Sequence, residues 1–113
     1  MKKKEIVKKT DDFNNIIRKG KIIKSDYFLI YYLENNEEKP HFGIAVSKKN
    51  GNAVVRNKLK RQYRYLIDQN KMLFSNNKNY IIMVKKASLS VPFSILQTNF
   101  RETLEKVNNE KDK

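Results

Sequence analysis

Apolar positions along this chain fall into short periodic blocks separated by turn residues. Between Thr10 and Lys19, Phe13, Ile16 and Ile17 recur at helical spacing and share one side. Thr10 or Asp11 can cap that helix, Asp11 and Asp12 suit its positive dipole end, and Gly20 is a natural stop. Lys21 to Lys24 can form a short strand. Residues 27–33, "YFLIYYL", are aromatic and branched, which predicts a strand apolar on both faces. After an acidic loop over 34–40, residues 42–47 alternate in size: Phe42, Ile44 and Val46 point toward a core, and Gly43, Ala45 and Ser47 point away. That small face suits either another backbone at close range or a covering helix. Asn50-Gly51-Asn52 supplies a turn, and Asn52 caps a helix expected from Ala53 to Gln69. Residues 79–84, "NYIIMV", predict an inner strand. Pro92 suits the opening turn of a last helix striped by Phe93, Leu96, Phe100, Leu104 and Val107. The order helix, two or three strands, helix, strand, helix defines an α+β domain with a sheet covered by helices. Residues 1–4 and 108–113 are expected to fray.

Length and composition narrow the class. A chain of 113 residues, 39% hydrophobic and 33% charged, fits one domain with a modest core and a heavily charged surface. It holds no apolar run long enough to span a bilayer, and no apolar signal segment follows the basic start MKKKEIVKK. No cysteine is present, which removes disulfides and thiolate metal sites and suits a reducing compartment; the cytoplasm is the expected location. Charge changes the picture more. The net charge is +13, but residues 1–38 carry nine bases against seven acids and residues 102–113 three against four. Residues 39–101 carry thirteen bases and a single acid, Asp68. A block of one sign attracts phosphates, because each neutralised phosphate releases condensed counterions.

The centre of that block is the expected helix. Val55, Leu59, Tyr63 and Leu66 fall on one side and should face inward, leaving Arg56, Lys60 and Arg64 in one row and Asn57 and Arg61 in a second, with Lys58 beside them. No acid is interleaved, so neutralising i,i+4 pairs are absent and the stacked like charges cost stability. Lys48 and Lys49 precede the helix start, where the dipole also favours an anion. Insertion into a DNA major groove is the alternative, yet Asn57 and Gln62 make a thin reading head for base edges. A Lys/Arg surface fits phosphate and shape recognition, hence structured RNA.

With these residues in view, a family resemblance emerges. "FGIAVSKKNGNAVVRNKLKRQYR", residues 42–64, resembles the signature of the bacterial ribonuclease P protein subunit: a strand ending V-S-K-K, a glycine turn, then R-N-R-x-K-R-x-x-R. Lys58 replaces the usual third-position Arg, keeping the charge but losing the fork geometry. "DDFNNIIRKG" resembles the family's first helix, with Ile17 where an aromatic is common. "YFLIYYL" and "NYIIMVKKAS" are similar to its aromatic and later strands, although the family's proline near the latter's end is absent.

The resemblance implies a single RNA-binding domain over 1–113, an αβββαβα sandwich with a mixed four-stranded sheet covered by helices and an unusual left-handed βαβ crossover. Handedness comes only from the family, since physical rules favour the right-handed form. It also implies a role: binding a large catalytic RNA and assisting that RNA in removing the 5′ leader of precursor tRNA. Lys48, Lys49, Arg56, Asn57, Lys58, Lys60, Arg61 and Arg64 would face the catalytic RNA. Phe13, Ile17, Tyr31 and Ser47 would line a leader cleft between the first helix and the sheet. Magnesium ions would be held mainly by RNA, with no cofactor bound by the protein alone. Catalytic RNA and precursor tRNA are the implied partners, with no membrane and no obligate protein partner.

Simpler readings compete. Aromatics such as Phe13 and Tyr31 are often core, and Tyr27, Phe28 and Tyr32 are core candidates. His41, the single histidine, has no local nucleophile or orienting carboxylate pattern and reads as a strand-edge residue. No His/Asp/Glu cluster has metal-ligand spacing, so catalysis by protein side chains gains no support. Rival functions are a structural ribosomal protein, a DNA-binding regulator and a protein-only nuclease.

Overall fold

A computed structural model describes residues 6, 7 and 10–111. Helix α1 spans Thr10–Lys19, followed by strands β1 (Lys21–Lys24), β2 (Phe28–Glu34) and β3 (His41–Val46). Helix α2 spans Ala53–Gln69, strand β4 Lys78–Val84 and helix α3 Phe93–Lys111. The sheet order is β1-β2-β4-β3, with β2 antiparallel to β1 and β4, and β3 parallel to β4. Helix α2 is therefore the crossover that a parallel pair requires. The expected α+β sandwich with a mixed four-stranded sheet is the fold observed.

One face of the sheet meets α2 and α3. Phe28 and Ile30 of β2, Phe42 of β3, and Tyr80 and Ile82 of β4 pack there against Tyr63, Leu66 and Phe100. Burying each such side chain contributes about 1.5–3 kcal/mol. Phe42 stacks on Tyr80 with ring centroids 5.6 Å apart, and Phe74 meets both rings edge-on. Tyr27 and Tyr32 pack half-buried on the rim of this core, while Phe28 lies fully inside it. The opposite face is covered by α1, which buries Ile16 against β2 and β4. Gly20 ends α1 because the chain turns directly onto β2: a side chain there would run into the Ile16 and Tyr32 carbonyl oxygens.

Several expectations shift by small amounts. Helix α2 has the bounds read from its Asn52 cap and β1 the bounds expected for the first strand, whereas β2 and β3 are displaced and β4 is extended by one residue. Ile67 joins Leu59, Tyr63 and Leu66 inside, and Val55 is only half-covered. Pro92 precedes α3, and its carbonyl accepts from Ile95 N at 3.0 Å. The loose end expected from residue 108 is instead helical to Lys111, with Asn108 Nδ2 donating to Leu73 O at 3.0 Å. Residues 1–4, also expected to fray, lie outside the described residues.

A buried polar network ties α2 to the far side of the core. Tyr63 OH lies 2.8 Å from Ser88 Oγ, which donates to the Tyr27 carbonyl at 2.8 Å. Burial pushes the Tyr63 phenol from its ordinary 10.0 up to about 12, opposed in part by the Ser88 hydrogen bond. A raised pKa means the fold favours the protonated phenol, so this stabilisation is complete below the unfolded value and is lost as pH rises through the folded one. Stability should therefore fall between pH 10 and about 12, and Tyr63→Phe should flatten that part of the curve. Urea unfolding across this range, wild type against variant, measures it; identical curves would remove Tyr63 as the cause.

Candidate nucleic-acid interface

The basic helix is set in place by two side-chain caps. Ser47 Oγ accepts from Lys49 N at 3.2 Å and starts a 3-10 turn over Lys48–Asn50. Gly51, at φ 146°, then turns the chain through backbone that side chains avoid. Asn52 Oδ1 accepts from Val55 N at 3.1 Å and opens α2. Asn50 Nδ2 donates to Val84 O at 3.1 Å, so the whole turn is stapled to the end of β4.

On α2, Asn57, Lys58, Arg61 and Arg64 are exposed, while Arg56 and Lys60 are half-buried on one flank. The expected row Arg56–Lys60–Arg64 is thus graded rather than uniform, because an i,i+4 row winds about 40° round the helix at each step. Arg56 Nε is buried without a hydrogen-bond partner. An orphaned donor on a cation costs about 1–3 kcal/mol, more for a charged group, and an approaching anion is a natural partner for the same guanidinium. Among the described residues, none of Lys48, Lys49, Arg56, Lys58, Lys60, Arg61 and Arg64 forms an ion pair. Asp68 faces Lys71 at 3.9 Å, beyond the basic stretch.

Parallel pairing gathers further charge. Val46 is level with Val84, so Lys48 and Lys49 leave the sheet at the same end as Lys85 and Lys86. Lys86 is exposed, and Lys85 Nζ donates to Ser25 O at 2.7 Å. Lys85 and Lys86 were not singled out above, since only the register brings them beside the V-S-K-K segment.

The second set of residues lies on the α1 face of the sheet. Tyr31 alternates with core-facing Ile30 and so points to this face, between Ile22 and Ile81 in the register. Gly43 continues that row on β3, and a Cβ there would meet Phe13 Cε2 at 3.1 Å. The small face of β3 therefore serves to admit α1 and the Phe13 ring. Phe13, Ile17 and Tyr31 are half-buried, and Ser47 is exposed. Phe13 stands over β3 and Tyr31 two strands away, about 10 Å across the sheet at ordinary strand spacing. Next to this row run Lys24, Leu29, Met83 and Ala45; the last three are half-buried and Lys24 is exposed, giving an apolar floor with a cationic edge.

His41 opens β3, as a strand-edge residue should. Its Nδ1 lies 3.0 Å from Asn79 Oδ1 and its Nε2 3.3 Å from Glu37 Oε2, far along the strand from the basic end. Among the described residues, no group of three or more His, Asp or Glu is placed to hold a metal ion.

An unneutralised basic helix beside a half-open aromatic sheet face defines a polyanion-binding α+β domain. Residues 1–108 match the family model described as Ribonuclease P. The ribonuclease P protein component of Mycoplasma mycoides is 39% identical over 108 residues, covering 95% of this chain and 99% of that one. Its Mycoplasma capricolum counterpart is 43% identical over 97 residues, covering 85% and 89%. Among solved structures, the RNase P protein of Staphylococcus aureus is similar at TM-score 0.83 and 30% identity, covering 91% of this chain and 94% of that one. The Thermotoga maritima protein is similar at TM-score 0.80 and 25% identity, covering 90% and 96%. The chain belongs to the ribonuclease P protein component family, whose members are subunits of that endoribonuclease.

Self-repulsion in α2 has a measurable consequence. Each like-charged i,i+4 contact costs about 0.2–0.5 kcal/mol and is screened by salt. The midpoint of thermal unfolding should rise between low and moderate sodium chloride, and that of Lys60→Gln, which removes the contacts with both Arg56 and Arg64, should rise less. A midpoint indifferent to salt would show that the face carries no such strain.

Proposed function

We propose that the α2 face binds the catalytic RNA of ribonuclease P while the α1 face of the sheet holds the 5′ leader of precursor tRNA. The observation that carries this reading is the run of seven Lys and Arg from Lys48 to Arg64 without an ion pair among the described residues. Lys48, Lys49, Arg56, Asn57, Lys58, Lys60, Arg61 and Arg64 contact phosphates and ribose of the RNA subunit. Arg56, fixed on its flank with a free Nε, is the most preorganised of them. Phe13, Ile17, Tyr31 and Ser47 receive the leader, whose unpaired bases can stack on Tyr31 and on the open part of Phe13.

Hydrolysis of the phosphodiester belongs to the RNA and its magnesium ions, and the protein contributes by positioning the leader and neutralising charge near it. The chain acts in the cytoplasm on this reading; no helix among the described residues is long and apolar enough to cross a membrane.

Reconstitution tests the whole proposal. Added protein should accelerate leader removal by ribonuclease P RNA at low magnesium, whereas a ribosomal protein of equal charge should not. No acceleration would overturn the assignment. Within that assay, Tyr31→Ala should weaken binding of leader-bearing precursor by about 1–3 kcal/mol and spare mature tRNA. Equal losses for both RNAs would take Tyr31 out of the cleft. Arg56→Ala and Arg61→Ala should each lower affinity for the catalytic RNA and reduce its salt slope by about 1. An unchanged slope would place these residues away from phosphate.

A further inference from the structure

Tyr65 is the aromatic anomaly of the basic helix. It follows Asn57 and Arg61 at i, i+4, i+8 and so shares their exposed row. Single apolar residues on a surface are ordinary, but this one is both exposed and held. Its side is 51% open. Its ring packs against half-buried Phe93 with centroids 5.9 Å apart and planes 43° inclined. Gln69 Nε2 donates to its hydroxyl at 3.1 Å, and Gln97 Nε2 donates to Gln69 Oε1 at 3.3 Å, linking the clamp to α3. A surface helix position needing only solubility has no use for an aromatic restrained from two directions.

We infer that Tyr65, backed by Phe93, is a stacking platform for one unpaired base of the catalytic RNA, extending the interface beyond its phosphate contacts. The inference rests on the proposed reading of α2 as the RNA-facing helix. Three features favour RNA as the occupant. The platform continues the row of Asn57 and Arg61, the acid one turn beyond it, Asp68, faces Lys71 at 3.9 Å, and a single ring is too small for a stable protein interface. A base within a duplex hides its faces, so the partner is a loop, bulge or junction nucleotide.

The chain contains no tryptophan, so Tyr65→Trp introduces one fluorophore at the platform. Titrated with ribonuclease P RNA, this variant should bind like wild type and lose indole emission; precursor tRNA alone should leave the emission unchanged. Tyr65→Ala should weaken binding of the catalytic RNA about tenfold with an unaltered salt slope, because stacking displaces no counterions. Tyr65→Phe should keep the affinity. The inference is overturned if Tyr65→Ala binds like wild type while Arg61→Ala is weakened, a result that leaves the α2 reading standing. If both variants bind like wild type, both readings fall. Emission that changes with protein concentration alone identifies a second copy as the occupant and also overturns the inference, as does a Tyr65→Phe loss equal to that of Tyr65→Ala.

Discussion

Strand β4 is hydrogen-bonded along both edges and covered on both faces, and the rest of the molecule is arranged by that fact. Its register with β2 sets Tyr31 beside Ile81, and its register with β3 sets Gly43 on the other side of the same residue. Ile81 is fully buried beneath α1, while Tyr80 and Ile82 belong to the core under α2 and α3. A one-residue slip of β4 would exchange those faces. It would also shift Lys85 and Lys86 by about 3.3 Å relative to Lys48 and Lys49, which leave the same end of the sheet because β3 and β4 end together. The core and both candidate RNA surfaces thus depend on one ladder.

Placement of charge on this scaffold opposes stability. Helix α2 buries Leu59, Tyr63, Leu66 and Ile67 on one side and crowds cations on the other. Burial of four large side chains, at about 1.5–3 kcal/mol each, greatly exceeds repulsion of a few tenths per pair, so the helix forms regardless. The excess charge is therefore affordable in the fold without being useful to it. On the proposed reading its use lies in a partner, and the phosphates of an RNA chain supply the missing counter-charge.

Much of this was legible in the sequence, and the failures have physical causes. The bounds of α2 could be read because Asn52 is a capping residue whose side chain does accept from the helix. The ends of β2, β3 and β4 differ by a residue because alternation marks faces, not where pairing begins. The small residues of β3 announced a close approach, but what approaches is decided by tertiary packing, and Phe13 filled that role. Arg56 and Lys60 are less open than Arg64, since an i,i+4 row winds round the helix and does not stay at one depth. Ile67, at i+4 from Tyr63 and i+8 from Leu59, lies on the inward stripe and periodicity alone could have found it, whereas Phe74 was missed because it stands in the turn after α2, outside any stripe. Lys85 and Lys86 required the parallel register, which no local pattern encodes.

The two candidate surfaces differ in how function and folding share residues. On α2 the division is clean: exposed cations can be changed without touching the buried side. On the α1 face it is not, since Phe13 both fills the space over Gly43 and offers the remainder of its ring to solvent. Ile16 beneath it is 2% exposed and purely structural. On the proposed reading, a leader bound there settles on a surface that is itself part of the packing between helix and sheet. Stacking on such a surface is preorganised, because a half-buried ring has already lost its rotamer freedom before the base arrives. The exposed cations on α2, Lys58, Arg61 and Arg64, still have that freedom to lose. Apolar contacts of fixed geometry on one side and mobile long-range charge on the other fit the two tasks proposed for them: orienting a short single strand, and holding a large folded RNA.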